Sequence, residues 1–259
     1  MSSDLTEGGQ GQLIAGQGEA ALAELRERIS RAQVRQVAAG GRAIIVLEGL
    51  QGSLKSAVAR QLAAALDPRF LATFTVSPDR RRSGEGHWLA RFWRDLPAQG
   101  RTALYVHSWY HRVLEDRALA FAESSEWARA HDEINEFESQ QRDNGTMIVK
   151  LLFHVTEAVR ARRIAEAQDD PTAIPATGPE QLLGSELRGA YDEALANMLA
   201  QNNMRWSPWV VVDADKPGAA LVAALTAVAH AFEQAFVDGP AASARPAIVP
   251  MRRSRGKID

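Results

Sequence analysis

The stretch Glu48-Gly49-Leu50-Gln51-Gly52-Ser53-Leu54-Lys55-Ser56 holds the residue types from which a chain builds a cradle for a phosphate. It follows the frame G-x-x-x-x-G-K-[ST], with Gly49, Lys55 and Ser56 in register and Leu54 where the second glycine belongs. In such a frame consecutive backbone N–H groups, here around Gly49, Gln51, Gly52 and Ser53, join a helix N-terminus in surrounding an anion. The Lys55 ammonium would reach bridging oxygens, and the Ser56 hydroxyl, with Glu48 as the neighbouring carboxylate, would offer oxygen to a metal ion. Leu54 works against this, because its Cβ and bulk stand where glycine permits close approach and unusual dihedrals. The expectation is a distorted loop or a weaker hold on phosphate. A plain glycine-containing turn between strand and helix uses the same residues and stays open as a reading.

A second set of cations follows. Arg80, Arg81, Arg82, His87, Arg91 and Arg94 could line a channel for a polyanion, or form only a solvated loop and helix face. Arg91 and Arg94 are the better placed, a turn apart on one helix. Arg112 and Arg117 either face a crevice or pair with Glu115 and Asp116. His107 and His111 also lie a turn apart, but no third ligand at a familiar spacing accompanies them, so zinc is not expected. Trp88, Trp93, Trp109 and Tyr110 could stack on a base, although large aromatics more often fill a core, the assignment taken for Trp93. The acidic run from Asp132 to Glu138 reads as the solvated face of a helix whose Ile134 and Phe137 turn inward.

The elements that must position these residues alternate. Arg42 to Leu47 is a continuous β-branched run suited to a strand buried on both faces. Further strands are expected near Phe70 to Val76, at Thr102 to Val106, Thr146 to Val155 and Trp209 to Asp213. Helices are expected from Glu19 to Ala39, Lys55 to Leu66, near Gly86 to Leu96, from about Tyr110 to Arg142, Thr156 to Ala167, near Glu186 to Met204, and Pro217 to Phe236. Strand–helix alternation of this kind argues for an α/β fold, a three-layer α/β/α sandwich around a parallel sheet. In such sheets ligands gather beyond the carboxyl ends of the strands, which is where the Glu48–Ser56 turn falls.

A chain of 259 residues, 46% apolar, suffices for one sizeable core. With 30 basic and 32 acidic side chains the net charge is −2, so neither nucleic acid nor a membrane surface is expected as a partner. The absence of cysteine excludes disulfides, thiolate metal sites and a thiol nucleophile, and fits a reducing cytoplasm. Neither a signal-peptide core nor an apolar run of spanning length is apparent, so a soluble, cytoplasmic protein is expected. Residues 1–18, poor in hydrophobic side chains, are expected to be a disordered tail. One domain should span 19–238, with a proline-rich lid at about 168–185, and a flexible basic tail should occupy 239–259.

With Ser108-Trp109-Tyr110-His111-Arg112 in view, the chain resembles the polyphosphate kinase 2 family, and its polyphosphate:AMP phosphotransferase branch most of all. The motifs that carry the resemblance run in order from Glu19 to Phe236. They are Phe92-Trp93-Arg94 with Leu96-Pro97 and Gly100, Asp116-Arg117, Glu133-Ile134-Asn135-Glu136-Phe137-Glu138, Asn144-Gly145-Thr146, Ile148-Val149-Lys150, and Pro208-Trp209-Val210-Val211.

The resemblance implies a P-loop kinase-like fold and phosphoryl transfer between polyphosphate and a nucleotide, AMP or ADP, with Mg²⁺ or Mn²⁺. It implies catalytic roles for Lys55, Arg112, Arg117 and Arg163, and nucleotide or phosphate contacts from Gly49, Gln51, Gly52, Ser53, Lys55, Ser56, Arg91, Arg94 and Asp116. It also implies a homo-oligomer. The sequence departs from the family where it matters: Gln51 and Val106 stand at its usual aspartate positions, and His107 at an arginine position. Losing two carboxylates removes the expected metal ligands, leaving Glu48 or Asp79 as substitutes. Two readings follow: a polyphosphate-dependent phosphotransferase, or a catalytically silent relative that binds polyphosphate or nucleotide as a regulatory module.

Overall fold

The computed structural model describes residues 5–76, 86–169 and 183–237. Asp79, Arg80, Arg81 and Arg82, most of the expected lid and all of the expected C-terminal tail lie outside these residues. Helix α1 (Leu5–Ala39) starts earlier than the Glu19 expected from periodicity. It is followed by β1 (Arg42–Gly49), α2 (Lys55–Ala65) and β2 (Leu71–Thr75). Next come α3 (Ala90–Arg94), β3 (Thr102–Val106), α4 (Glu115–Ala118) and α5 (Ser124–Asp143). The remainder is β4 (Thr146–His154), α6 (Glu157–Asp169), α7 (Arg188–Asn202), β5 (Trp209–Asp213) and α8 (Pro217–Ala235).

The five strands are parallel in the order β2-β3-β1-β4-β5. Pleating sends alternate β1 side chains to opposite faces. Ala43, Ile45 and Leu47 join Leu25 and Ile29 of α1, Val58 and Leu62 of α2, and Leu225 and Val228 of α8. Ile44 and Val46 join Phe92, Tyr105, Trp109, Ile134 and Tyr191 on the other face. Helices therefore cover both sides of a sheet whose central strand is buried, the three-layer α/β/α arrangement expected of β-branched runs. From β1 the chain moves out to β2 and β3, then crosses to β4. The turn after β1 consequently sits where the order reverses, the usual ligand crevice of such sheets.

Four expectations are corrected. The long helix from Tyr110 to Arg142 is three pieces: a 3₁₀ turn at Trp109–Arg112, then α4, then α5. The Ser108 side chain accepts a hydrogen bond from the Tyr110 amide at 3.3 Å and starts the first turn; Ala120, at φ 54°, ends the second piece. A capping box between Glu123 and Glu126 starts the third. Trp93, assigned to the core, is 44% exposed, its ring meeting that of Phe137 edge-on. Glu138, assigned to a solvated face, is fully buried. Finally, α8 is long and apolar enough to cross a membrane by length and composition. Here its stripe of Ala220, Ala224, Leu225, Val228 and Phe232 packs on the sheet.

Candidate functional site

The turn between β1 and α2 is shaped by its backbone. Gly49 has φ 142°, and a Cβ there would lie 2.5 Å from the Phe153 carbonyl oxygen, so only glycine fits. Gly52 has φ 81°. Leu54, expected to distort the loop, instead takes the left-handed conformation itself, at φ 73° and ψ 6°, while its side chain packs on the core beneath α2. A left-handed L-residue costs about 1–2 kcal/mol, and the packing of the leucine side chain offsets part of it. The bend that the missing glycine would have supplied is therefore kept.

Lys55 opens α2 and is 4% exposed. Its Nζ donates to the carbonyl oxygen of Gly49 and, at 2.9 Å, to that of Leu50, so the ammonium arches back over the loop. Arg163 reaches the same loop from α6, donating to the Gly52 carbonyl at 2.8 Å and to that of Asp215 at 3.1 Å. Ser53 Oγ is buried and meets no hydrogen-bond partner among the described residues. Gln51 is half-buried and Ser56 exposed. The structure thus brings together Gly49, Gly52, Ser53, Lys55 and Arg163.

The remaining expected residues form a separate cluster. Arg91 is linked to His111 Nε2, and that nitrogen lies 3.7 Å from Asp116 Oδ2. Arg112 pairs with Asp116 at 3.5 Å and with Glu126 at 3.1 Å, its guanidinium 5.9 Å from the Trp88 ring. Burial, offset in part by Asp116, pushes the His111 imidazole down to about 4, so it is neutral at pH 7. Arg117 turns away to pair with Glu193 at 2.6 Å and stacks on Trp127 at 4.0 Å. Arg94 is exposed, and no described contact joins it to this cluster.

Beneath this cluster the Ser-Trp-Tyr turn rests on buried charge. Lys150 Nζ, on β4, donates to Glu138 Oε2 at 2.9 Å, to the Tyr110 hydroxyl at 2.9 Å and to the Asn202 carbonyl at 3.1 Å. Trp109 Nε1 donates to the other Glu138 oxygen at 3.0 Å. Burial lowers the Lys150 pKa, opposed by the Glu138 carboxylate, and burial holds the Tyr110 phenol well above its usual range. Periodicity missed this network because a charged residue on a helix reads as solvated.

Between loop and turn lie Glu48, Glu115 and His107, all buried, with ligand atoms within 4.8 Å of one another. His107 Nδ1 is 3.3 Å from Glu48 Oε2 and 3.6 Å from Glu115 Oε1. Glu48 Oε1 accepts from the Ser108 amide at 2.8 Å and its hydroxyl at 2.6 Å. Sequence reasoning placed Glu48 here, set His107 against His111, and missed Glu115; ligands so far apart in the chain have no spacing to recognise. The Mg²⁺ implied by the resemblance does not fit the loop. Mg²⁺ prefers hard oxygens, whereas Val106 offers none, Gln51 only a neutral amide, and Ser56 is exposed while Glu48 is fully buried.

A parallel sheet with a phosphate-type turn at its topological switch defines a P-loop kinase-like protein. The sequence model described as Polyphosphate kinase 2 matches residues 12–239, and the chain belongs to that family. It is 31% identical over 193 residues to a polyphosphate:AMP phosphotransferase of Pseudomonas syringae pv. tomato, and 28% identical to one of Pseudomonas aeruginosa. Each alignment covers 74% of this chain and 39% of the relative, so the chain spans about two fifths of those proteins. The crystal structure of Polyphosphate Kinase 2 from Arthrobacter aurescens TC1 superposes with a TM-score of 0.80 at 24% identity, covering 88% of this chain and 82% of that one.

Proposed function

We propose that this chain transfers a phosphoryl group between polyphosphate and a nucleoside mono- or diphosphate, AMP or ADP. The observation that carries the reading is the loop: its left-handed bends are kept, and Lys55 and Arg163 converge on it. An oxygen of the nucleotide's terminal phosphate attacks a terminal phosphorus of polyphosphate, and the bond from that phosphorus to the polyphosphate bridging oxygen breaks. The protein's part is positioning and neutralisation of charge. Lys55 exchanges the Gly49 and Leu50 carbonyls for phosphate oxygens, and Arg163 holds the loop while its charge faces the anion. Arg112 and Asp116, with Arg91, would bind the nucleotide end, and Arg117 would join them only by giving up its pairing with Glu193. A divalent cation, Mg²⁺ or Mn²⁺, would enter as counter-ion of the phosphates rather than on a pair of protein aspartates. The relatives' names support polyphosphate and nucleotide as ligands. The reading includes a cytoplasmic homo-oligomer with neither nucleic acid nor membrane as partner.

A second reading, binding without turnover, is favoured by Gln51 and Val106 at the two positions where the family usually carries aspartate. One assay separates the two: AMP and ADP against polyphosphate with Mg²⁺ or Mn²⁺, wild type beside Lys55→Ala. Turnover that disappears in the variant is the expected result. Polyphosphate-induced thermal stabilisation with no turnover would instead establish the binding module.

A further inference from the structure

We propose that Glu48, His107 and Glu115 form a buried binding site for a borderline divalent cation, with Zn²⁺ as the best fit. The spacing is the first argument. Ligand atoms roughly 2.0–2.1 Å from a tetrahedral Zn²⁺ stand about 3.3–3.4 Å from each other. His107 Nδ1 lies 3.3 Å from Glu48 Oε2 and 3.6 Å from Glu115 Oε1 before any ion draws them together. One imidazole nitrogen with two carboxylates is a donor set that suits Zn²⁺ better than Mg²⁺.

The hydrogen bonding of Glu48 agrees with that spacing. Its Oε1 is held by the amide and hydroxyl of Ser108, which fixes the carboxylate plane, as an outer-shell partner orients a metal ligand. Its Oε2 is fully buried and accepts no hydrogen bond among the described residues, and it points at the His107 ring. An acceptor left in that state is costly unless a cation completes it.

The backbone at His107 points the same way. His107 holds φ 61°, in the left-handed region that few residues other than glycine enter, and burial fixes its ring there. That conformation turns β3 directly into the Ser-Trp-Tyr turn and aims the ring between Glu48, at the end of β1, and Glu115, at the start of α4. The cation would join the three elements that floor the crevice. This assignment does not depend on phosphoryl transfer, because its readouts are ion content and spectrum.

The test uses the full chain. Protein dialysed against chelator is titrated with Zn²⁺, and separately with Co²⁺, whose visible absorption distinguishes tetrahedral from octahedral coordination. His107→Asn is the main variant, since asparagine tolerates a left-handed backbone; Glu115→Gln is the second, and far-UV circular dichroism checks folding. The expected result is one Zn²⁺ per chain and a tetrahedral Co²⁺ spectrum, with affinity falling more than about tenfold in each variant, since outer-shell changes alone cost that much. Wild-type protein that binds no Zn²⁺ after dialysis, or variants that keep the wild-type affinity, would overturn the site. If a variant fails to fold, the wild-type Co²⁺ spectrum decides, and an octahedral spectrum counts against the assignment.

Discussion

The loop after β1 and the turn after β3 lie side by side at the carboxyl end of the sheet, yet they are held by opposite means. The loop is built of main chain: Gly49, Gly52 and Leu54 at positive φ, with Lys55 and Arg163 bonded to its carbonyls. The Ser-Trp-Tyr turn is built of buried side chains, the Glu138–Lys150–Tyr110 network below and the Arg91–His111–Asp116 cluster above. A backbone cradle tolerates substitution as long as the dihedrals survive, which is how Leu54 can stand for glycine. A network of desolvated charges does not, because each member left without its partner keeps its full desolvation penalty.

That contrast can be broken experimentally, and the largest effect belongs to the turn. Glu138→Ala would leave the Lys150 ammonium buried without its carboxylate, and removing one partner of such a pair costs about 3–5 kcal/mol. Urea denaturation of the variant should show this loss, and a cost below about 1 kcal/mol would contradict the picture of a rigid side-chain support. The next effect is pH dependence. His111 takes up its proton near its ordinary 6.5 in the unfolded chain but only at about 4 in the fold. Stability is therefore complete above pH 6.5 and falls as pH drops towards 4, by about 3 kcal/mol from this group. The fall should be shallower in His111→Asn when midpoints are compared across that range. The smallest effect belongs to the loop: Leu54→Gly relieves backbone strain and loses apolar packing, so stability should change by less than about 1 kcal/mol. Polyphosphate binding, read by titration, should tighten. A large loss of stability would mean that the leucine side chain, not the backbone, shapes the cradle.

The sheet was the most legible part of the sequence. Thr102–Val106 and Trp209–Asp213 are strands within the limits read from their apolar runs: the first is buried almost throughout and leaves a continuous apolar signature, while the second, at the sheet edge with Val211 exposed, is marked by its three β-branched valines. The loop was legible through Gly49 and Lys55, whose spacing is local. What escaped was set by tertiary neighbours. Ala120 and the Ser108 cap break a helix that periodicity runs together. Glu138 looks solvated until Lys150 arrives from β4, and Glu115 meets Glu48 and His107 only after folding. Trp93 shows the converse, a large aromatic left at the surface where its bulk suggested interior.

The seat of Phe236 carries a consequence for extension of the chain. Its ring lies where a Cβ on Gly41 would sit, 2.3 Å from the nearest ring atom, so α8 finishes against the amino-terminal entrance of β1. The backbone therefore reaches Phe236 and Val237 at the pole of the sheet opposite Lys55, so a residue joined directly to them starts its path on the side away from the crevice.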